Sequence, residues 1–175
     1  EAIRHDVNHA IAMGFSGTLP LVNWTPQEDP RWEQYHRILL DEARGRIPVH
    51  GIVYNSTPEA DIALLSRLEA LGVDMILLAS RYASDTTAED LYASMAQRIQ
   101  STDLPVMLYA ALNRGRNFPH LGPAGQPLDV FDRVADLGNV AAVKISQPVT
   151  LTSTLQMCDR LADRLLMAPV NLDFV

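Results

Sequence analysis

The sequence predicts an α/β protein built from repeated strand–helix units, and three observations carry that prediction. Short apolar runs rich in Val, Ile and Leu recur along the chain, and they lack the polar alternation of a half-exposed strand. Amphipathic segments with helical spacing lie between consecutive runs. The repeat length is about 25 to 35 residues, the size of one βα unit.

The elements follow in order. A helix is expected over Ile3–Met13, stopped by Gly14, and then a strand over Gly17–Val22. A helix over Arg31–Arg44 leads to a strand over Pro48–Val53. Thr57 caps the next helix, Pro58–Leu71, with proline at its first position, and Ser56 three before Glu59 suits a capping box. Within it Ile62, Leu65 and Leu68 form one apolar stripe, with Asp61 and Arg67 placed outside. Gly72 ends that helix before a strand over Met75–Ser80. Thr86-Thr87-Ala88-Glu89 repeats the capping signal for a helix over Ala88–Gln100. A strand over Pro105–Ala110, a helix over Leu128–Leu137 stopped by Gly138, a strand over Val140–Ser146, a helix over Leu151–Ala162 and a strand over Leu165–Val170 complete the series.

Six such units fit either a doubly wound sheet or part of a (β/α)₈ TIM barrel. No Gly-x-Gly-x-x-Gly turn and no Walker loop follows any strand, which weighs against a nucleotide-binding doubly wound sheet. A closed barrel takes about 250 residues, and this chain of 175 falls about two units short. It starts without Met inside a helical pattern, so residues 1–175 read as a single partial domain cut from a longer protein. A net charge of -7 without a dense basic cluster argues against nucleic acid as a partner. No apolar stretch approaches the roughly 20 residues that span a membrane. The single cysteine, Cys158, fits a reducing, cytoplasmic setting and reads as core.

The chemistry centres on Lys144, the only lysine, set in the apolar run Val140-Ala141-Ala142-Val143-Lys144-Ile145-Ser146. An ammonium there is costly to desolvate, and desolvation favours a neutral amine, the nucleophile that captures carbonyl compounds as Schiff bases. The bland alternative is a lysine that snorkels from a strand end or pairs with a carboxylate. In a barrel the C-terminal strand ends face the active site. Those ends supply Asn23, Trp24, Tyr54, Asn55, Ser80, Arg81, Tyr82, Tyr109, Ser146 and Asn171, with Arg114 nearby. Tyr109 and Lys144 fall at the tips of adjacent strands, and a phenol beside an amine suits the proton movements of carbinolamine chemistry. The strand ends hold no carboxylate pair and no histidine, so no metal is expected. His5 and His9, four apart on a helix, read as a solvated face; His36, His50 and His120 read as structural.

Four segments resemble the dihydrodipicolinate synthase / N-acetylneuraminate lyase family: Gly45-Arg46-Ile47-Pro48-Val49, Asn55-Ser56-Thr57-Pro58-Glu59-Ala60, Thr102-Asp103-Leu104-Pro105-Val106-Met107-Leu108-Tyr109 and Asn139-Val140-Ala141-Ala142-Val143-Lys144. The resemblance implies a class I aldolase-type barrel, present here as strands two to seven of that fold. It implies a lyase or synthase acting on pyruvate or a related 2-keto acid, with no cofactor beyond the covalent Schiff base on Lys144. It also implies a homo-oligomer, tetramer or dimer, in the full-length protein. Lys144 matches the Schiff-base lysine, Tyr109 the proton-shuttling tyrosine and Tyr82 the second tyrosine of a relay. Arg114 matches a carboxylate-binding arginine. The family's Gly-Thr-Thr-Gly-Glu carboxylate loop is replaced by Val22-Asn23-Trp24-Thr25-Pro26-Gln27-Glu28, where Thr25 is the remaining hydroxyl. Arg114 and Thr25 from the resemblance, with Asn171 from the strand ends, are the expected substrate-binding residues. Ala110 and Ile145 replace a polar residue and a glutamate of the family pattern. These departures leave two alternatives. One is a non-catalytic barrel that keeps the lysine and has lost the carboxylate site; the other is a family enzyme for a larger sugar acid.

Overall fold

The computed structural model describes residues 1–19, 27–54, 57–79, 83–111, 119–122, 126–146 and 150–169. The elements are α1 (Ala2–Ala12), α2 (Pro30–Ala43), β1 (His50–Val53), α3 (Pro58–Leu71), β2 (Met75–Ala79), α4 (Ala88–Ile99), β3 (Val106–Ala111), α5 (Leu128–Val134), β4 (Val140–Ser146), α6 (Leu151–Leu161) and β5 (Leu166–Pro169). A 3₁₀ turn, Pro119–Leu121, precedes α5.

Local chemistry sets the helix starts. Asp29 accepts from the Arg31 amide and Pro30 opens α2. Thr57 accepts from the Ala60 amide ahead of Pro58 in α3, and Thr87 accepts from Asp90 in α4. Thr150 and Ser153 form a reciprocal capping box on α6. Gly72, at φ 88, closes α3 in the left-handed conformation that glycine adopts without strain.

Among the described residues five strands form one sheet, all parallel and in chain order, β1-β2-β3-β4-β5. Sequential order decides between the two architectures. Right-handed crossovers that all advance in one direction put every helix on the same face of the sheet, which then curls as part of a barrel. A doubly wound sheet would reverse direction once. The core agrees. Val53, Ile76, Leu78, Val106, Leu108, Val143 and Ile145 of the strands join Leu64, Leu65 and Leu68 of α3, Leu91 and Met95 of α4, Phe131 of α5, and Met157 and Leu161 of α6. Gly51 allows that approach: a Cβ there would stand 2.8 Å from Leu68 Cδ1. The chain therefore forms part of a (β/α)₈ barrel.

Three expectations change. The strand expected over Gly17–Val22 is present, within the described residues, as one parallel bridge, Thr18 to Val49; residues 20–22 lie outside the description. α5 ends at Val134 rather than Leu137, because the last turns tighten to bonds from Asp136 to Arg133 and from Leu137 to Val134. Asp61 lies inside the α3 stripe, fully buried, where its carboxylate accepts from Arg98 Nε of α4 at 2.5 Å. Ser94 holds the same guanidinium through its carbonyl at 2.8 Å.

His36 of α2 is 1% exposed, and its Nδ1 donates to the Trp32 carbonyl at 2.9 Å, which makes it structural as expected. Burial holds this imidazole below the ordinary 6.5, against the smaller upward pull of the Trp32 carbonyl. Burial lowers His50 likewise, against the carboxylate of Asp74. The unfolded chain therefore binds more protons than the folded one once the pH falls below about 6.5. Stability is full above that value and declines as the pH drops toward the folded-state values. Denaturant midpoints at pH 7.5 and pH 5.5 should differ in that sense, and His36→Gln should flatten the dependence.

Candidate active site

A parallel sheet with helices on one face leaves the other face to the barrel interior. Alternation assigns residues to that face in layers. The lower layer reads Ile52, Leu77, Met107, Ala142 and Leu166 across the five strands. The layer above it, nearer the C-terminal strand ends, reads Ala79, Tyr109, Lys144 and Ala168. Ser146, opposite Ala111, stands one step higher.

Lys144 reaches this face through an irregularity in β4. Val106 pairs with Val140, but Met107 pairs with Ala142, so Ala141 is an extra residue with no partner. Val140 and Val143 both pack into the helix-side core, although an unbroken strand would send residues three apart to opposite faces. Without the bulge, simple alternation from Val140 would aim Lys144 at the helices. The extra residue turns it to the interior. Deleting Ala141 should leave β4 a regular strand in the same register, with Val140 and Lys144 then three residues apart and still on opposite faces. The variant should keep cooperative unfolding and the reactivity of the amine, whereas forcing Ala141 into the ladder would drive Lys144 into the helix layer.

Lys144 and Tyr109 are direct register partners. Lys144 Nζ lies over the Tyr109 ring, 4.9 Å from its centroid, within the range of cation–π attraction. Both side chains are half-buried. The apolar run around Lys144 therefore shelters the amine in part: helices cover one face of β4, and among the described residues Lys144 is half-buried. Small neighbours surround the pair, with Ala142 below the lysine, Ala168 beside it and Ala79 beside the tyrosine. Sequence reasoning placed Tyr109 and Lys144 at the tips of adjacent strands, as their pairing has them, and missed this frame of alanines and the bulge, since Val-Ala-Ala-Val carries no period to read.

The other expected site residues, Tyr82, Arg114, Thr25 and Asn171, lie outside the described residues, as do Asn23, Trp24, Asn55, Ser80 and Arg81. His5 and His9 stack at 6.1 Å on α1, and among the described residues no group of three or more His, Cys, Asp or Glu is placed to hold a metal. Cys158 is partly buried against the main core. Among the described residues no helix is long and apolar enough to cross a membrane. A cavity of about 840 Å³ lies away from the amine, between α1 and α2, lined by Ile3, Val7, Phe15, Tyr35 and Ile38. Its lining is mostly apolar and also includes Glu1, Asp6, Thr18 and Gln34.

A family model described as the dihydrodipicolinate synthetase family matches residues 3–167. The 4-hydroxy-tetrahydrodipicolinate synthase of Rhodopseudomonas palustris is 28% identical over 148 residues, which is 82% of this chain and 47% of that protein. A 4-hydroxy-tetrahydrodipicolinate synthase of Halalkalibacterium halodurans is 30% identical over 146 residues, 82% of this chain and 45% of that protein. Among solved structures, the synthase of Methylacidiphilum fumariolicum SolV matches with a TM-score of 0.76 and 22% identity, over 95% of this chain and 54% of that one. The dihydrodipicolinate synthase of Thermotoga maritima matches with a TM-score of 0.77 and 24% identity, over 96% and 57%. Likenesses at this identity show the fold. The chain spans about half the length of the curated relatives it matches.

Proposed function

This chain belongs to the dihydrodipicolinate synthetase family, and on that premise we propose that it carries the amine and phenol of a Schiff-base lyase or synthase acting on pyruvate or a related 2-keto acid. The observation that carries the reading is the Lys144–Tyr109 pair: register partners on the interior face, with Nζ over the ring at 4.9 Å.

The chemistry follows from that placement. The neutral amine of Lys144 attacks the keto carbon and gives a carbinolamine. Tyr109 passes a proton to the carbinolamine oxygen, water leaves, and a protonated imine remains. The imine draws electrons from the adjacent carbon, which then loses a proton or a C–C bond. Tyr82 as a relay partner, and Arg114, Thr25 and Asn171 as substrate-binding groups, belong to the same proposal. So do a cytoplasmic setting and a homo-oligomeric whole protein. Among the related structures is one described as a monomeric dihydrodipicolinate synthase variant.

The test is reduction with borohydride in the presence of pyruvate, followed by intact-mass measurement. The reading expects a stable gain of one pyruvate less one oxygen per chain. No gain with pyruvate or with any of a panel of 2-keto acids would instead fit a barrel that has kept the lysine and lost the reaction.

A further inference from the structure

We infer that Tyr54 and Tyr109 wall a flat apolar subsite beside the Lys144 amine, so that the 2-keto acid this chain takes ends in an aromatic or similarly flat apolar group. The inference rests on the Schiff-base reading and adds the substrate class to it.

Val53 packs into the helix-side core and pairs with Leu78. Tyr54 is the next residue, so one further extended step carries it to the interior face, level with Ala79. Ala79 pairs with Tyr109. Three consecutive strands thus present a phenol, a methyl group and a phenol at one height. The two tyrosines stand two strand spacings apart, roughly 9 to 10 Å between backbones. A flat ring in contact with both needs about 7 Å, twice the 3.5 Å contact distance of carbon atoms. Alanine is what keeps that gap open.

The floor of the gap is apolar. Beneath Tyr54, Ala79 and Tyr109 the lower layer places Ile52, Leu77 and Met107, with Leu77 only 1% exposed. None of these six positions carries a charge to favour an ionic substituent. With Nζ over the Tyr109 ring, the lysine leans from β4 toward β3, and that ring stands between the amine and the gap. A substituent on the imine carbon therefore enters the gap over the inner edge of the ring, a path longer than one strand spacing of roughly 5 Å. The methyl group of pyruvate is too short for it, whereas a phenyl group carried two carbons beyond the keto carbon extends over that edge. Stacking between two rings then adds to simple burial.

The experiment compares pyruvate with 4-phenyl-2-oxobutanoate as borohydride-trapped adducts. In each, the amine lone pair bonds the keto carbon, water leaves, and hydride adds to that carbon to leave a secondary amine. At equal sub-saturating concentration the phenyl acid should give more adduct than pyruvate. The ratio of the two should fall about tenfold in Tyr54→Ala and in Ala79→Leu, which fills the gap, and persist in Tyr54→Phe. Two independent variants guard against one that fails to fold, and circular dichroism identifies such a case. A phenyl-to-pyruvate ratio that is no greater than one, or is the same in the parent chain, Tyr54→Ala and Ala79→Leu, overturns the subsite and leaves the Schiff-base reading standing. No adduct from either acid overturns both.

Discussion

Replacing Lys144 by methionine should abolish the borohydride-trapped adduct entirely while leaving the fold in place. Methionine matches the length and apolar stem of lysine and removes only the nucleophile. Lys144 is the only lysine, so the chain offers no other side-chain amine, and residual labelling could come only from the N-terminal amine. Tyr109→Phe separates the roles within the pair. It keeps the ring beneath Nζ and deletes the hydroxyl, so the adduct should still form. It should form more slowly by about 10² to 10⁴, the usual value of a positioned proton donor. Time courses of adduct formation by intact mass distinguish these outcomes. Wild-type rates in Tyr109→Phe would remove the phenol from the mechanism and leave the lysine in it.

Asp61→Ala should lower stability by about 3 to 5 kcal/mol. Asp61 is fully buried and Arg98 is 6% exposed, so removing the carboxylate leaves a guanidinium held in the α3–α4 interface without its counter-charge. Domains are stable by only about 5 to 15 kcal/mol, and this loss would take much of that margin. Arg98→Leu should cost a comparable amount, and the double variant less than the sum, because the two residues act as one unit. Urea denaturation gives all three values. The exposed pair between Glu89 and Arg133 supplies the contrast: Glu89→Ala should barely move the midpoint, since solvent screens that interaction.

Much of this fold was legible in the sequence, and the failures have physical causes. Caps and glycines are local signals, so α3 was bounded at both ends and α4 and α6 within one residue at their C-terminal ends. Asp61 was misplaced because its partner lies 37 residues away, and nothing near it in sequence marks a buried carboxylate. The strand expected at Gly17 shows only the Thr18 bridge among the described residues. For the site, Lys144 and Tyr109 were identified by residue type and spacing, and their register pairing agrees with that reading. The bulge at Ala141 was not legible, because alanines accept either face of a strand, and only pairing with β3 exposes the extra residue. Tyr82, Arg114 and Thr25 rest on position in a family pattern and Asn171 on a strand end, and all four lie outside the described residues.

The central claim is that one amine on the barrel-interior face, stacked on one phenol, forms the imine. The most direct measurement is an experimentally determined structure of the pyruvate-trapped, borohydride-reduced chain. The account predicts continuous density from Lys144 Nζ into a three-carbon acid, with the Tyr109 hydroxyl within hydrogen-bond reach of the adduct. An adduct on the N-terminal amine alone, or a Lys144 side chain turned away from Tyr109 into the helix layer, would contradict it.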